Sequence, residues 1–158
     1  MHSAAPLHLM RHGSGARALR LGLGPRWLPA GAVQQLQQLL EEHSFWAQGR
    51  SLSGLRTMLK GSAAAISLWR GRQLVGFCRA SSDGRYRAVL WDVVVAPELQ
   101  GQGLGRQLVE ALLELPQLRR VERVYLMTSN SAGFYRQLGF TSTGRQQLML
   151  LEQNSTSG

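Results

Sequence analysis

The apolar residues change their spacing several times along the chain, and each change marks an element. Val33, Leu36, Leu39 and Leu40 follow Pro25 and Pro29 at helical intervals, which predicts an amphipathic helix ending near Glu41-Glu42-His43. Leu55, Met58 and Leu59 continue that period in a second, shorter helix, capped by Ser51 or Ser53 and stopped by Gly61. The period then drops to that of strands. Ala64–Trp69 and Gln73–Ala80 flank Arg70-Gly71-Arg72, a hairpin pattern, and the turn Ser82-Asp83-Gly84-Arg85 leads into Arg87–Val95. Within that last run, Ala88-Val89-Leu90-Trp91 and Val93-Val94-Val95 predict a central strand buried on both faces.

Helical spacing returns from Gly103 to about Leu115, closed by Pro116; Val121–Met127 reads as a strand and Ser131–Leu138 as a short helix ending at Gly139. Phe140 and Leu148–Leu151 are expected to supply the last strand or strands. Residues 1–17 read as a flexible basic lead, with Leu19, Leu21 and Leu23 as a short strand after it, residues 18–152 as one domain, and 153–158 as a frayed tail. The order predicts an α/β (α+β) domain: a single mixed, mostly antiparallel central sheet flanked by helices.

Charge and composition narrow the picture only slightly. The formal net charge of +9 suits any polyanion, and 17 of the 18 basic residues are arginine. Arg119, Arg120 and Arg123 lack interleaved aromatics, so they read as a solvated face and nucleic acid is not the expected partner. No apolar run reaches the roughly 20 residues that span a bilayer, and the single cysteine, Cys78, excludes an internal disulfide. A cytoplasmic location is expected. Arg11, Arg17, Arg20 and Arg26 with no acidic residue before Glu41 match an organelle leader, but serines are sparse there, and a basic arm or first edge strand is the plainer reading.

The chemistry concentrates in Gln100-Gly101-Gln102-Gly103-Leu104-Gly105-Arg106, between an apolar strand and an amphipathic helix. Successive backbone N–H groups and a helix N-terminus converge there on an anion, and glycines allow close approach and left-handed conformations. The spacing is neither G-x-G-x-x-G nor G-K-[ST], which excludes a dinucleotide fingerprint and a P-loop.

This turn resembles the Q/R-x-x-G-x-G/A signature of the GNAT superfamily of N-acetyltransferases, with Gln100, Gly103 and Gly105 in the signature positions. Asn130-Ser131-Ala132-Gly133-Phe134-Tyr135-Arg136-Gln137-Leu138-Gly139-Phe140 is similar to that family's N-x-x-x-x-F-Y-x-x-x-G-F segment. Phe77-Cys78-Arg79-Ala80, Asp83-Gly84 and Trp91-Asp92-Val93-Val94-Val95 resemble its cyanobacterial and plastid branch of serotonin N-acetyltransferase-like enzymes, some of which carry an acidic residue where Thr128 stands. The resemblance implies a GNAT-like fold and acetyl-CoA as co-substrate, without metal. It implies transfer to a primary amine, either a small arylalkylamine such as serotonin or a protein amino group. A non-catalytic acyl-CoA-binding module is the alternative, and a homodimer is left open.

By the same resemblance, Val93, Val94 and Val95 hold the pantetheine arm, Gln100, Gly101, Gln102, Gly103, Leu104, Gly105 and Arg106 the pyrophosphate, and Asn130 and Tyr135 of the second segment also bind the cofactor. A backbone N–H near Val94 or Val95 serves the oxyanion, and Tyr135 is the general acid. Asp92 has two readings of equal weight, a base or a partner for arginine. Arg106 and Arg136 are the cations best placed for the phosphates. Trp69, Trp91, Phe45 and Trp46 are candidate walls of an acceptor pocket. Glu98 is expected in solvent, Cys78 in the core, and His43 and the other histidines at the surface.

Overall fold

A computed structural model describes residues 5–16, 18–19 and 31–153. Five strands form one sheet in the order β1-β2-β3-β4-β5, comprising β1 (Leu7–His12), β2 (Ala64–Arg70), β3 (Gln73–Ser82), β4 (Arg87–Val95) and β5 (Arg123–Tyr125). The first three pairings are antiparallel and the β4–β5 pairing is parallel, so the sheet is mixed and mostly antiparallel, as predicted. The helices are α1 (Ala32–His43), α2 (Leu52–Gly61), α3 (Leu104–Glu114) and α4 (Ala132–Gln137).

Two compact units are present, residues 1–127 and 128–158. The first contains the whole sheet. Helix α1 buries Val33, Leu36, Leu39 and Leu40, the face its spacing predicts, and Gln35 stitches it to the β2–β3 hairpin. The Gln35 amide donates to the Arg72 carbonyl at 3.0 Å and accepts from the Leu74 N–H at 2.8 Å. Ser51 caps α2 by accepting from the Gly54 N–H at 3.0 Å. Helix α3 buries Leu104, Leu108, Val109 and Leu112, and full burial of each leucine contributes about 1.5–3 kcal/mol. Leu108 lies so close to β3 that a Cβ on Gly76 would meet it at 3.2 Å and Leu68 at 3.1 Å.

Two expectations are corrected, and a third falls largely outside the described residues. Leu7–His12, assigned to a flexible lead, is the edge strand β1, because six consecutive residues pair with β2 from Leu7↔Arg70 to His12↔Ala65. Of the strand expected at Leu19, Leu21 and Leu23, Leu21 and Leu23 lie outside the described residues. Strand β4 is interior but alternates: Ala88, Leu90, Asp92 and Val94 are buried, while Val89, Trp91, Val93 and Val95 are half-buried. It is β2 whose burial is nearly continuous.

The second unit holds α4, which starts after Ser131 and ends before Gly139, as its sequence predicts. No strand forms at Phe140 or at Leu148–Leu151 among the described residues, and those four apolar side chains are 77–86% exposed. A strand needs a partnered edge, and hydrophobic spacing carries no information about that partner.

Candidate functional site

Strand β5 pairs only with Arg87, Ala88 and Val89, so the far half of β4 has no strand along that edge among the described residues. On its other edge β4 is pinned to β3, with Val95 opposite Gly76 and the Ala96 N–H donating to the Val75 carbonyl at 2.8 Å. Because successive residues of a strand direct their backbone groups to opposite edges, the N–H and C=O of Val95 point to the open edge. The Gln100 amide donates to the Val95 carbonyl from that side at 3.1 Å. Alternation assigns Val93 the same direction and Val94 the opposite one.

Beyond Val95 the chain makes a one-turn 3-10 helix, Pro97–Leu99, and reaches the glycine turn. Gly101 and Gly103 adopt φ of 82° and 75°, left-handed values that cost an L side chain roughly 1–2 kcal/mol. No heavy atom lies within 4 Å of where their Cβ atoms would sit. Gly103 is the N-cap of α3 and supplies no side-chain cap, which leaves the first N–H groups of the helix to a ligand or solvent. Gln102 is exposed, Leu104 anchors the first turn in the core, and Gly105 follows it. Arg106 is exposed and pairs with Glu110 at 2.6 Å along α3. Glu98 pairs with Arg70 at 3.3 Å at the surface.

Asp92 sits at a break in β4. Phe77 faces Val94 and Arg79 faces Trp91, so Cys78 alone stands opposite both Asp92 and Val93, a β-bulge. Asp92 has φ of 56°, the only left-handed non-glycine among the described residues. Its carboxylate accepts from Arg79 Nε at 2.7 Å, Arg50 Nη1 at 2.9 Å and Trp46 Nε1 at 3.1 Å. Burial opposes its charge, but the guanidiniums of Arg50 and Arg79 prevail and hold its carboxyl below the ordinary value. Of the two readings weighed for Asp92, pairing with arginine is thus observed. Nothing in the run Trp91–Val95 announces the bulge, and Arg50 arrives from 42 positions away.

The four aromatic candidates separate. Trp69 is fully buried with its Nε1 donating to Ser67 Oγ at 2.8 Å, so it is core. Trp91 is half-buried, donates to Ser81 Oγ at 3.0 Å and lies under the Arg79 guanidinium. Phe45 and Trp46, on the α1–α2 connection, form an exposed edge-to-face pair with centroids 5.1 Å apart. Cys78 is buried, which pushes its thiol pKa upward and leaves it a core residue. His12 corrects the expectation of surface histidines, because it is buried against Ser67 Oγ at 2.7 Å. Among the described residues, no three His, Cys, Asp or Glu side chains gather where they could hold a metal ion. No helix of those residues is long and apolar enough to cross a membrane.

In the second unit, Tyr135 is half-buried on α4, its ring edge-to-face with Phe134 at 4.9 Å and Phe140 at 5.9 Å. The Phe140 N–H donates to the Tyr135 carbonyl at 3.0 Å. Asn130 accepts from Ser131 Oγ at 3.2 Å, Thr128 Oγ1 accepts from the Ser131 N–H at 3.0 Å, and Arg136 is exposed.

A family profile described as the acetyltransferase (GNAT) family matches residues 33–140. The chain is 34% identical over 113 residues to the uncharacterized N-acetyltransferase ycf52 of Pyropia yezoensis, covering 68% of this chain and 64% of that protein. It is 46% identical over 67 residues to the chloroplastic serotonin N-acetyltransferase 2 of Oryza sativa subsp. japonica, covering 42% of this chain and 34% of that one. It thus spans less than two thirds of the length of these curated relatives. Among solved structures, a GNAT-family acetyltransferase from Xanthomonas campestris pv. campestris is similar with a TM-score of 0.70 at 26% identity, covering 92% of this chain and 93% of that one.

Proposed function

The chain belongs to the acetyltransferase (GNAT) family, and from that premise we propose that it moves the acetyl group of acetyl-CoA directly to a primary amine. One observation carries this reading. The open edge of β4 at Val95 runs into a left-handed glycine turn and an uncapped helix N-terminus, all within one unit. An extended amide-bearing arm that ends in a pyrophosphate calls for that sequence of donors: strand edge first, anion nest next. Val93 and the Val95 carbonyl would bond the pantetheine amides, Gln100 would brace the strand, and the N–H groups from Gly101 to Arg106 would take the pyrophosphate. Arg106 would leave Glu110 to add its charge.

The neutral amine attacks the thioester carbonyl, and the resulting oxyanion takes a hydrogen bond from a backbone N–H on the open edge, for which Val95 is better directed than Val94. The attacking nitrogen loses its proton to solvent water, and collapse of the intermediate expels the CoA thiolate, which Tyr135 protonates as general acid before recovering its own proton from solvent. Asn130 belongs with that second segment. The acceptor is an arylalkylamine, supported by the exposed Phe45–Trp46 pair and by the name of the rice relative; a protein amino group is the competing acceptor. The buried thiol of Cys78 suits a reducing compartment, and the name of the chloroplastic relative sets the plastid against the cytoplasm as the location to test.

The test is CoA release from acetyl-CoA with a panel of aromatic amines, polyamines and peptides. Turnover with aromatic amines, reduced about 10²-fold or more in Tyr135→Phe, is the expected result. Calorimetric binding of acetyl-CoA with no turnover across the panel would instead establish an acyl-CoA-binding module.

A further inference from the structure

We infer that Asp92 is a positioning residue: its carboxylate and its left-handed backbone lock the turn carrying Phe45 and Trp46 onto β4, immediately before the open edge. The inference extends the acetyl-transfer reading, and its kinetic arm rests on that reading.

The α1–α2 connection, residues 44–51, is stitched on one side to α1. The Glu41 carboxylate accepts from the Gly49 N–H at 2.7 Å, and the Gln37 amide donates to the Arg50 carbonyl at 3.0 Å. On the other side its bonds to β4 run to a single group. Trp46 Nε1 and Arg50 Nη1 both donate to Asp92, at 3.1 Å and 2.9 Å. Arg79, from β3, completes the set at 2.7 Å and stacks over Trp91. Asp92 therefore joins α1–α2, β3 and β4 at one carboxylate.

The backbone is part of the device. A left-handed residue in a bulge is ordinarily glycine; aspartate and asparagine are among the few side chains that tolerate the conformation. With regular backbone, β4 would keep its pairing with β3 without a break, and the carboxylate would not face Arg50 and Trp46 in this way. The side chain of Asp92 retains only 2% of its surface in solvent, whereas those of Arg50 and Arg79 retain 31% and 16%. An incoming amine meets the guanidiniums and the indole before the carboxylate. Both charged groups facing Asp92 are cations that lower its affinity for a proton, so it stays ionised through the range in which amines react and is a poor proton acceptor there.

The experiment compares Asp92→Asn and Asp92→Gly, which both accept left-handed backbone but lack the charge, with Arg50→Gln, which removes one tether from the turn and leaves β4 intact. Hydrogen exchange is followed across residues 44–51, and steady-state kinetics with the best amine of the panel are measured as a function of pH. In all three variants, exchange at residues 44–51 should rise about tenfold or more beyond any rise shared by the sheet amides of β2 and β3. The acceptor KM should rise about tenfold, with the acetyl-CoA KM moving less than about twofold and the acid limb of kcat retained. Unchanged exchange across the turn would overturn the tether. Loss of the acid limb in Asp92→Asn with acceptor KM unmoved would make Asp92 the base. If wild-type protein turns over no amine, the acetyl-transfer reading falls while the exchange arm still decides the tether.

Discussion

Asp92 and His12 are each 6% exposed in the same sheet, yet their polar contacts are built in opposite ways. Asp92 is charged and gathers three donors from two elements, β3 and the α1–α2 connection, and two of those donors, Arg50 and Trp46, reach solvent. His12 is neutral, because burial lowers its pKa to about 4. Its Nε2 meets Ser67 Oγ at 2.7 Å, and that same oxygen accepts from Trp69 Nε1 at 2.8 Å, with Ser67 and Trp69 both fully buried. The hydroxyl thus bridges the indole and the imidazole, and the cluster closes without a charge or a water-facing end. A carboxylate held by two cations suits a junction beside a site that must bind and release. A sealed neutral cluster suits the joint between edge strand β1 and β2, where nothing has to move.

The largest expected effect breaks the charged cluster. Asp92→Ala leaves the partly solvated guanidiniums of Arg50 and Arg79 without their anion, a loss of charge-assisted hydrogen bonds that costs about 1.5–3 kcal/mol, and a Cβ without a compensating contact at φ of 56° adds roughly 1 kcal/mol. Urea unfolding of wild type and variant measures the difference. If the loss is below about 1 kcal/mol, the cluster is a surface ion pair and the contrast with His12 fails.

Acid separates the two clusters by window. His12 has a folded pKa of about 4 against 6.5 when unfolded, so as pH falls through this interval the unfolded chain takes up a proton that the folded chain refuses. Stability should drop by about 3 kcal/mol from pH 6.5 to pH 4 on this account alone. Asp92 has the same sign of dependence in a lower window. Its folded pKa lies below 3.8, so its contribution is intact above the unfolded value and is lost only as pH falls further, toward the folded one. The midpoint of urea unfolding, followed from pH 7 to pH 3, should decline first in the His12 window, and His12→Gln should flatten that part of the curve. A wild-type curve flat between pH 6.5 and pH 4 would mean that His12 is solvated.

Ser67→Ala tests the neutral cluster from its centre. The variant strands Trp69 Nε1 and His12 Nε2 without partners in a sealed space, at a cost of about 1–3 kcal/mol read from thermal or urea unfolding. No change in acetyl-CoA binding should accompany it, because the cluster lies on the β1–β2 side of the sheet.

The contrast also marks what the sequence could disclose. The glycine turn and the Asn130–Phe140 segment are contiguous, so their chemistry is written in neighbouring letters; Ser51 and the buried face of α1 are legible for the same reason. The polar clusters are not. His12, Ser67 and Trp69 meet only because β1 pairs with β2, and β1 was hidden in Leu7–His12, whose weak alternation offers little to read before its partner is known. Asp92 stands in an apolar run that predicts regular strand, while two of its three partners come from the α1–α2 connection. Leu148–Leu151 shows the converse failure: apolar residues that predict a strand remain exposed and unpaired in the described structure. Spacing reports which face would be buried, and long-range pairing decides whether it is.

The smallest effect sharpens the comparison most. Trp46→Phe keeps an aromatic ring against Phe45 and removes only the Nε1 donor to Asp92, the longest of the three bonds at 3.1 Å. The carboxylate keeps both arginines, so the stability loss should be about 0.5–1 kcal/mol, near the net value of a single partly exposed hydrogen bond. If the cluster acts as a unit, however, the loss depends on Arg50. In a double-mutant cycle, Trp46→Phe made in an Arg50→Gln background should cost measurably less or more than in wild type, with a coupling of about 0.5 kcal/mol or greater. Additive losses would mean that Trp46 and Arg50 hold Asp92 independently, and the turn would then be tied to β4 by two separate bonds instead of one shared group.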